Sequence, residues 1–269
     1  MPENPAPVAL RLSTVRTGAR SALRVAKDAY YFGIPSLKKP RTDAAGLAEI
    51  RTNFGVFYVR PDDTDMEVLR DIFIKRAYEL DFNLATSVVR REYNAMVEAG
   101  RKPLILDVGA NAGFASRFFA EAYPSAAIIA IEPDPDNYRV LCENVKSTAS
   151  VTSIKAAIGA SDGFVSLDKT SQDSWSVRTV RADNGVPMVT INDLLASNAD
   201  KELLITKIDI EGFESDLFLD NLEWIEKSKI VIVEPHDWAF PNTSQSLQRA
   251  MIGLGREMVI LGDNLAWIR

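Results

Sequence analysis

Residues 104–113 run Leu-Ile-Leu-Asp-Val-Gly-Ala-Asn-Ala-Gly, and no other stretch narrows the choice of fold as much. The first five residues have the pattern of a short buried strand, and the next five are a small-residue turn. Residues 114–123 are then apolar at helical spacing until Pro124 stops them. A second apolar strand pattern over 127–131 ends in Glu132. Strand, glycine turn, helix and a second strand tipped with a carboxylate make a β-loop-α-β unit. In such a unit a nucleoside ligand lies against the glycine turn, with its ribose hydroxyls on the acid.

The turn also bears on which nucleoside. A dinucleotide site uses G-x-G-x-x-G, with the pyrophosphate on the following helix N-terminus. Here the loop is G-x-N-x-G, and Asp107 stands two residues before its first glycine. A carboxylate there repels phosphate and suits a ligand with an ammonium and a sulfonium group, S-adenosylmethionine. The run D-V-G-A-N-A-G resembles the first motif of class I methyltransferases. A Rossmann unit for another nucleotide, or one with no ligand, is the competing reading.

The rest of the chain extends this unit. Strand formers fill 50–59, with Gly55 as a turn or kink, and Thr64 with Glu67 forms a capping-box pattern before a helix using Leu69, Ile72 and Phe73. Further helices are expected over 84–97, 135–146 and 244–254. Strands are expected over 151–157, 203–209 and 229–234, with an added strand at 164–167. Residues 170–185 have the composition of a loop over the site, and 257–269 that of a closing hairpin around Gly262-Asp263-Asn264. The expected fold is α/β: a Rossmann-like, mostly parallel twisted sheet with helices on both faces and a C-terminal antiparallel hairpin. The expected organisation is a basic arm and linker over 1–42, a cap segment over 43–102, and a cofactor-binding core over 103–269.

Charge separates the arm from the body. Residues 1–41 carry eight Lys/Arg against two acids, a balance of +6, and the remainder carries −12, giving −6 for the chain. An acidic body argues against a nucleic-acid partner. Residues 8–31 place apolar side chains and Arg16, Arg20, Arg24 and Lys27 on separate helical faces. Such a helix either packs on the body or lies on an anionic membrane surface. Arginines interrupt every apolar core that a secretory signal would need. The longest apolar run, 126–131, is six residues, far short of the roughly 20 of a transmembrane helix. A single cysteine, Cys142, forms no internal disulfide and fits a reducing compartment, so a cytoplasmic location is expected, with peripheral contact at the inner membrane face through the arm.

Four stretches together resemble the FkbM-type methyltransferase family. They are Tyr58-Val59-Arg60-Pro61 with Asp65 and Tyr78; residues 106–113; Ile131-Glu132-Pro133-Asp134-Pro135-Asp136-Asn137; and Lys207-Ile208-Asp209-Ile210-Glu211-Gly212-Phe213-Glu214. The resemblance covers about residues 54–240. Tyr78-Glu79 departs from the family pattern, which has an acid before the tyrosine. The resemblance implies S-adenosylmethionine-dependent O-methylation of a hydroxyl on a sugar, glycan or secondary metabolite. Carried over by position, Asp107, Gly109, Asn111 and Gly113 would line the methionine end of the cofactor. Glu132 would hold the ribose, and Pro133 and Ala157 would border the adenine. A small-molecule N-methyltransferase and a non-catalytic cofactor-binding module are the alternatives. The first is disfavoured because Asp209-Ile210-Glu211-Gly212 stands where an N-P-P-Y-type segment is expected.

Methyl transfer to an alcohol needs alignment and removal of the hydroxyl proton. Asp209, Glu234 and His236, the only histidine, fall at the ends of adjacent strands, where open α/β sheets bind ligands. Three roles are open to them. His236 is a general base oriented by Glu234 or Asp237; or Asp209, Glu234 and His236 hold a divalent metal; or the carboxylates cap the next helix and His236 is a loop residue. Glu211 and Glu214 are helix N-terminal acids or reach the substrate. Trp238 and Phe240 stack on a sugar ring or pack the last helix, and Trp175 invites the same comparison.

Overall fold

The computed structural model describes residues 29–30, 42–44, 46–80, 84–168, 178–238 and 240–269. Apart from 29–30, the helix expected over 8–31 lies outside the described residues, as does Trp175. The chain divides into two compact units, Met1–Pro61 and Asp62–Arg269. Among the described residues no helix is long and apolar enough to cross a membrane.

In the first unit, β1 (Ala48–Thr52) and β2 (Gly55–Val59) form an antiparallel hairpin. Gly55 therefore closes a turn between two strands. The second unit continues with α1 (Asp65–Phe73), α2 (Leu84–Glu98), β3 (Lys102–Val108), α3 (Phe114–Ala122), β4 (Ala127–Ile131), α4 (Pro135–Val145), β5 (Val151–Ile154), β6 (Ala157–Ile158), β7 (Gly163–Asp168), β8 (Arg178–Ala182) and β9 (Val186–Val189). It ends with α5 (Ile191–Ala196), β10 (Lys201–Ile208), α6 (Glu214–Leu217), α7 (Glu223–Lys227), β11 (Ile230–Val233), α8 (Thr243–Met251), β12 (Glu257–Leu261) and β13 (Asn264–Ile268).

Seven strands form the central sheet in the order β12-β13-β11-β10-β3-β4-β5. Pairing is parallel from β11 through β5, and β13 runs antiparallel to both β11 and β12. This is the expected Rossmann-like class I methyltransferase layout with its C-terminal hairpin. β3, β10 and β11 are apolar almost throughout because helices cover both of their faces. Leu104, Leu106 and Val108 face a core shared with Leu194, Leu217, Trp224 and Leu247 of α5–α8. Asp107 falls on the opposite face by the period-two rule. The order reverses between β3 and β10, so the crevice beyond their carboxyl ends is the ligand position for such a sheet.

Three local expectations are corrected. Thr64 makes no side-chain cap; its hydroxyl and N–H both donate to Asp63 Oδ1, so the capping box does not form. The expected single strand over 151–157 is two strands, β5 in the main sheet and β6 in a second sheet ordered β6-β9-β7-β8. Part of the expected loop over 170–185 is β8, an antiparallel partner of β7. Its Arg181 forks onto Asp216 (2.5 and 2.9 Å), an acid that also accepts from Ala160 N–H. A charged edge strand of this kind has no apolar alternation to reveal it in sequence.

Candidate active site

The glycine turn is bonded to the end of the neighbouring strand: Gly109 and Ala110 N–H both donate to Ile131 C=O, at 3.0 and 2.9 Å. Gly109 has φ +75°, and a Cβ there would lie 1.7 Å from the Asp209 carbonyl oxygen. Only glycine lets β3 leave the sheet this close to the end of β10. Asn111 follows in the left-handed region, φ 48°, and its N–H donates to Glu132 Oε2 at 2.8 Å. Glu132 Oε1 accepts from Asp134 N–H at 2.9 Å. Asp134 in turn caps α4, accepting from Asp136 and Asn137 N–H. One carboxylate thus ties the turn after β3 to the segment after β4. Burial pushes the Glu132 carboxyl up to about 7 although these N–H donors oppose the shift.

Between these segments lies a cavity of about 50 Å³ that opens to solvent. Gly109 and Asn111 form one wall, and Glu132 and Pro133 close one end. Ala156, Ala157 and Ile158 make an apolar shelf, and Asp209–Glu211 form the far side. A second cavity of about 620 Å³ shares Gly109, Asn111, Asp209 and Glu211 with the first. Its other walls come from α1 with the segment through Glu79, from the turn into α3, from Lys207 and Glu234, and from the β12–β13 turn. Sequence reasoning missed the last of these walls, since Gly262-Asp263-Asn264 signalled only a hairpin turn.

Asp107 is placed differently from expectation. It is fully buried and lines neither cavity. Its Oδ2 accepts from Ser116 Oγ at 2.5 Å, and Oδ1 lies 3.2 Å from Lys207 Nζ. Lys207 sits directly across the β3–β10 pairing from Asp107, so both side chains fall on the same face. Its ammonium also donates to Gly109 C=O at 2.7 Å and lies 3.5 Å from Asp209 Oδ2. Burial opposes the ammonium, but the facing Tyr78, Asp107 and Asp209 outweigh it and hold Lys207 well above the usual lysine range. Tyr78, the position flanking the family departure, is buried against Phe119, with Lys207 Nζ 5.9 Å from its ring. Gly113 also lines neither cavity; it starts α3 and faces Leu141 of α4.

Around His236 the partners are again different. His236 is buried, and its Nδ1 pairs with Glu214 Oε1 at 2.8 Å, in place of the expected Glu234 or Asp237. Its Nε2 lies 3.3 Å from Glu211 Oε2 and 3.7 Å from Asp209 Oδ1. Among the described residues, the groups that converge with metal-ligand spacing are Asp209, Glu211 and His236, so Glu211 replaces Glu234 in the expected trio. The cause is local backbone: Glu211 has φ 53°, which no periodicity in the sequence reveals. Burial against Asp209 raises Glu211 to about 8 and Glu234 to about 7. Burial lowers His236, but the Glu214 hydrogen bond and the surrounding carboxylates lift it to about 9. Trp238 is 80% exposed and lines neither cavity, while Phe240 lies over Gly212.

The family profile described as the methyltransferase FkbM domain matches residues 107–252. The hexuronic acid methyltransferase AglP of Haloferax volcanii is 25% identical over 142 residues, 52% of this chain and 58% of that protein. The 2-O-methyltransferase NoeI of Sinorhizobium fredii is 24% identical over 155 residues, 50% of this chain and 64% of that protein. The matches therefore span less than two-thirds of either relative. Among solved structures, cofactor-bound Rv0187 from MTB aligns over 78% of this chain and 99% of its own, at 13% identity and a TM-score of 0.40. The precorrin-6y C5,15-methyltransferase of Geobacter metallireducens covers 71% and 89%, at 12% identity and a TM-score of 0.36.

Proposed function

Since the chain belongs to the methyltransferase FkbM domain family, we propose that it transfers a methyl group from S-adenosylmethionine, bound in the smaller cavity, to a hydroxyl of a sugar or glycan held in the larger one. The observation that carries this reading is the polar lining of the smaller cavity. Among its described lining residues there is no lysine or arginine, and its side-chain groups are mainly acceptors: Glu132, Asn111, Asp209 and Glu211. Asn111 Oδ1 is buried with no hydrogen-bond partner among the described residues, and a donor from a ligand or a water would satisfy it. A ribose diol and an ammonium are donors and fit this set. A pyrophosphate meets carboxylates and no cation, so the dinucleotide reading is disfavoured. Pro133 and the Ala156–Ile158 shelf offer the apolar surface an adenine needs.

When bound, the cofactor supplies a methyl group on a positively charged sulfur, open to in-line displacement by an acceptor oxygen. The chain supplies position. Glu132 accepts from the ribose hydroxyls, and Gly109 permits close approach at the turn. Lys207, which also lines the larger cavity, keeps its charge against Asp107 and Asp209. Asp209 and Glu211, common to both cavities, accept from acceptor hydroxyls at the junction, and Glu234 lines the acceptor side. His236 lines neither cavity and acts through Asp209 and Glu211 as a positioning residue. The names of the two relatives, one for a hexuronic acid and one for 2-O-methylation, support a sugar-type acceptor and transfer to oxygen.

Calorimetry tests the cofactor assignment. S-Adenosylhomocysteine should bind the wild type in the micromolar range, on the order of −8 kcal/mol. Glu132→Gln should weaken binding about 10- to 100-fold, as expected for losing a charged acceptor worth roughly 1.5–3 kcal/mol. Binding of NAD with no binding of S-adenosylhomocysteine would overturn the assignment.

A further inference from the structure

We propose that Asp209, Glu211 and His236 form a site for a divalent first-row transition-metal ion of the manganese class, with Glu214 fixing the histidine, at the junction of the two cavities. The inference rests on the reading of the larger cavity as the acceptor site.

The geometry begins with the histidine. With Nδ1–H donating to Glu214 Oε1 at 2.8 Å, the other ring nitrogen presents a lone pair once its proton is displaced. That lone pair faces Glu211 Oε2 at 3.3 Å and Asp209 Oδ1 at 3.7 Å. A proton on Nε2 bridges the histidine to these carboxylates, and a metal ion can take the place of that proton. Cis ligands of an ion bound at about 2.1 Å stand on the order of 3 Å apart, so small side-chain movements close the set. A carboxylate that holds the far nitrogen of a ligating histidine is the usual outer partner in such sites. Glu214 is fully buried and stands in that position.

Charge points the same way. Asp209, Glu211, Glu214 and Glu234 gather around His236, and among the described lysines and arginines only Lys207 pairs with any of them. It reaches Asp209 Oδ2 at 3.5 Å and is shared with buried Asp107. The Asp209 and Glu211 side chains keep 25% and 24% of their exposure while His236 keeps 3%, so the open side of the set faces the cavities. One imidazole with two carboxylates suits manganese or a similar first-row ion better than magnesium, which favours an all-oxygen shell. The remaining coordination positions open toward the larger cavity, where adjacent hydroxyls of a sugar are a matching bidentate ligand. An ion there would lower the pKa of an acceptor hydroxyl, a role no uncharged group at the junction fills.

The test is a titration of the full chain, stripped with chelator, with Mn²⁺ alone, followed by calorimetry and by the Mn²⁺ electron-spin signal. One ion per chain should bind with a dissociation constant below roughly 0.1 mM. Glu211→Gln, on a partly exposed side chain, and His236→Ala should each weaken binding at least tenfold. Glu214→Gln should weaken it about 10- to 100-fold through the histidine. Each variant is checked for an unchanged circular-dichroism spectrum. No binding tighter than millimolar by the wild type would overturn the proposal and leave a proton as the cation between these groups. Binding that survives both Glu211→Gln and His236→Ala would overturn it as well. S-Adenosylhomocysteine binding, measured separately on the same metal-free samples, reports on the cofactor reading independently of the ion.

Discussion

Lys207→Met is expected to lower the free energy of unfolding by about 3–5 kcal/mol, the usual cost of removing one partner from a buried ion pair. The lysine is 2% exposed and Asp107 fully buried, so the substitution leaves a carboxylate in the core with Ser116 as its remaining hydrogen-bond donor. It also strips Gly109 C=O of its side-chain donor. Methionine fills a similar volume, which separates the charge effect from a cavity effect. The double variant Asp107→Asn/Lys207→Met removes the uncompensated charge and should recover more than half of the loss. Urea unfolding of the four proteins in the cycle measures both numbers. A loss below about 1 kcal/mol for the single variant would mean that Asp107 finds water or another cation.

Gly109→Ala is expected to abolish cofactor binding, by at least about 100-fold, and to destabilise the protein. The added methyl would sit 1.7 Å from the Asp209 carbonyl oxygen, and φ there is +75°. The obstacle is backbone at the end of β10, so relief requires moving Asp209 and with it the wall common to both cavities. Gly113→Ala offers a comparison with φ +82°, where the nearest atom, at 2.6 Å, is the terminal Cδ1 of Leu141. That side chain can rotate away, so Gly113→Ala should cost stability but keep binding within about tenfold. Melting curves and S-adenosylhomocysteine titrations of the two variants distinguish the cases; equal loss of binding would contradict the ranking.

The contrast between Asp107 and Glu132 shows how far the sequence reaches into the site. Both were legible as carboxylates at the ends of consecutive parallel strands. The strand-turn-helix signal also placed Gly109, Asn111 and Glu132 on one edge of the sheet, where the cavity lies. Asp107 is different because its side chain falls one residue inside the strand end, opposite Lys207 in the neighbouring strand. That register couples residues 100 apart in sequence and leaves no trace in local periodicity. Glu214 as the histidine's partner has the same origin, since α6 and the segment after β11 are distant in sequence and meet only once the chain has folded. Glu211 enters the cluster through a left-handed backbone angle that its residue type disfavours, so neither propensity nor spacing predicts it. The central strands were found because continuous apolar runs are what a sheet covered on both faces requires. β8 was missed because an edge strand satisfies no such requirement.

The most direct test of the methyl-transfer assignment is incubation of the protein with methyl-labelled S-adenosylmethionine and a panel of neutral, amino and uronic-acid sugars, free and lipid-linked, followed by mapping of the labelled atom. The account predicts a labelled methyl ether on a sugar oxygen, with one equivalent of S-adenosylhomocysteine released per methyl transferred. Label on nitrogen or carbon would contradict it, as would bound cofactor with no transfer to oxygen anywhere in the panel.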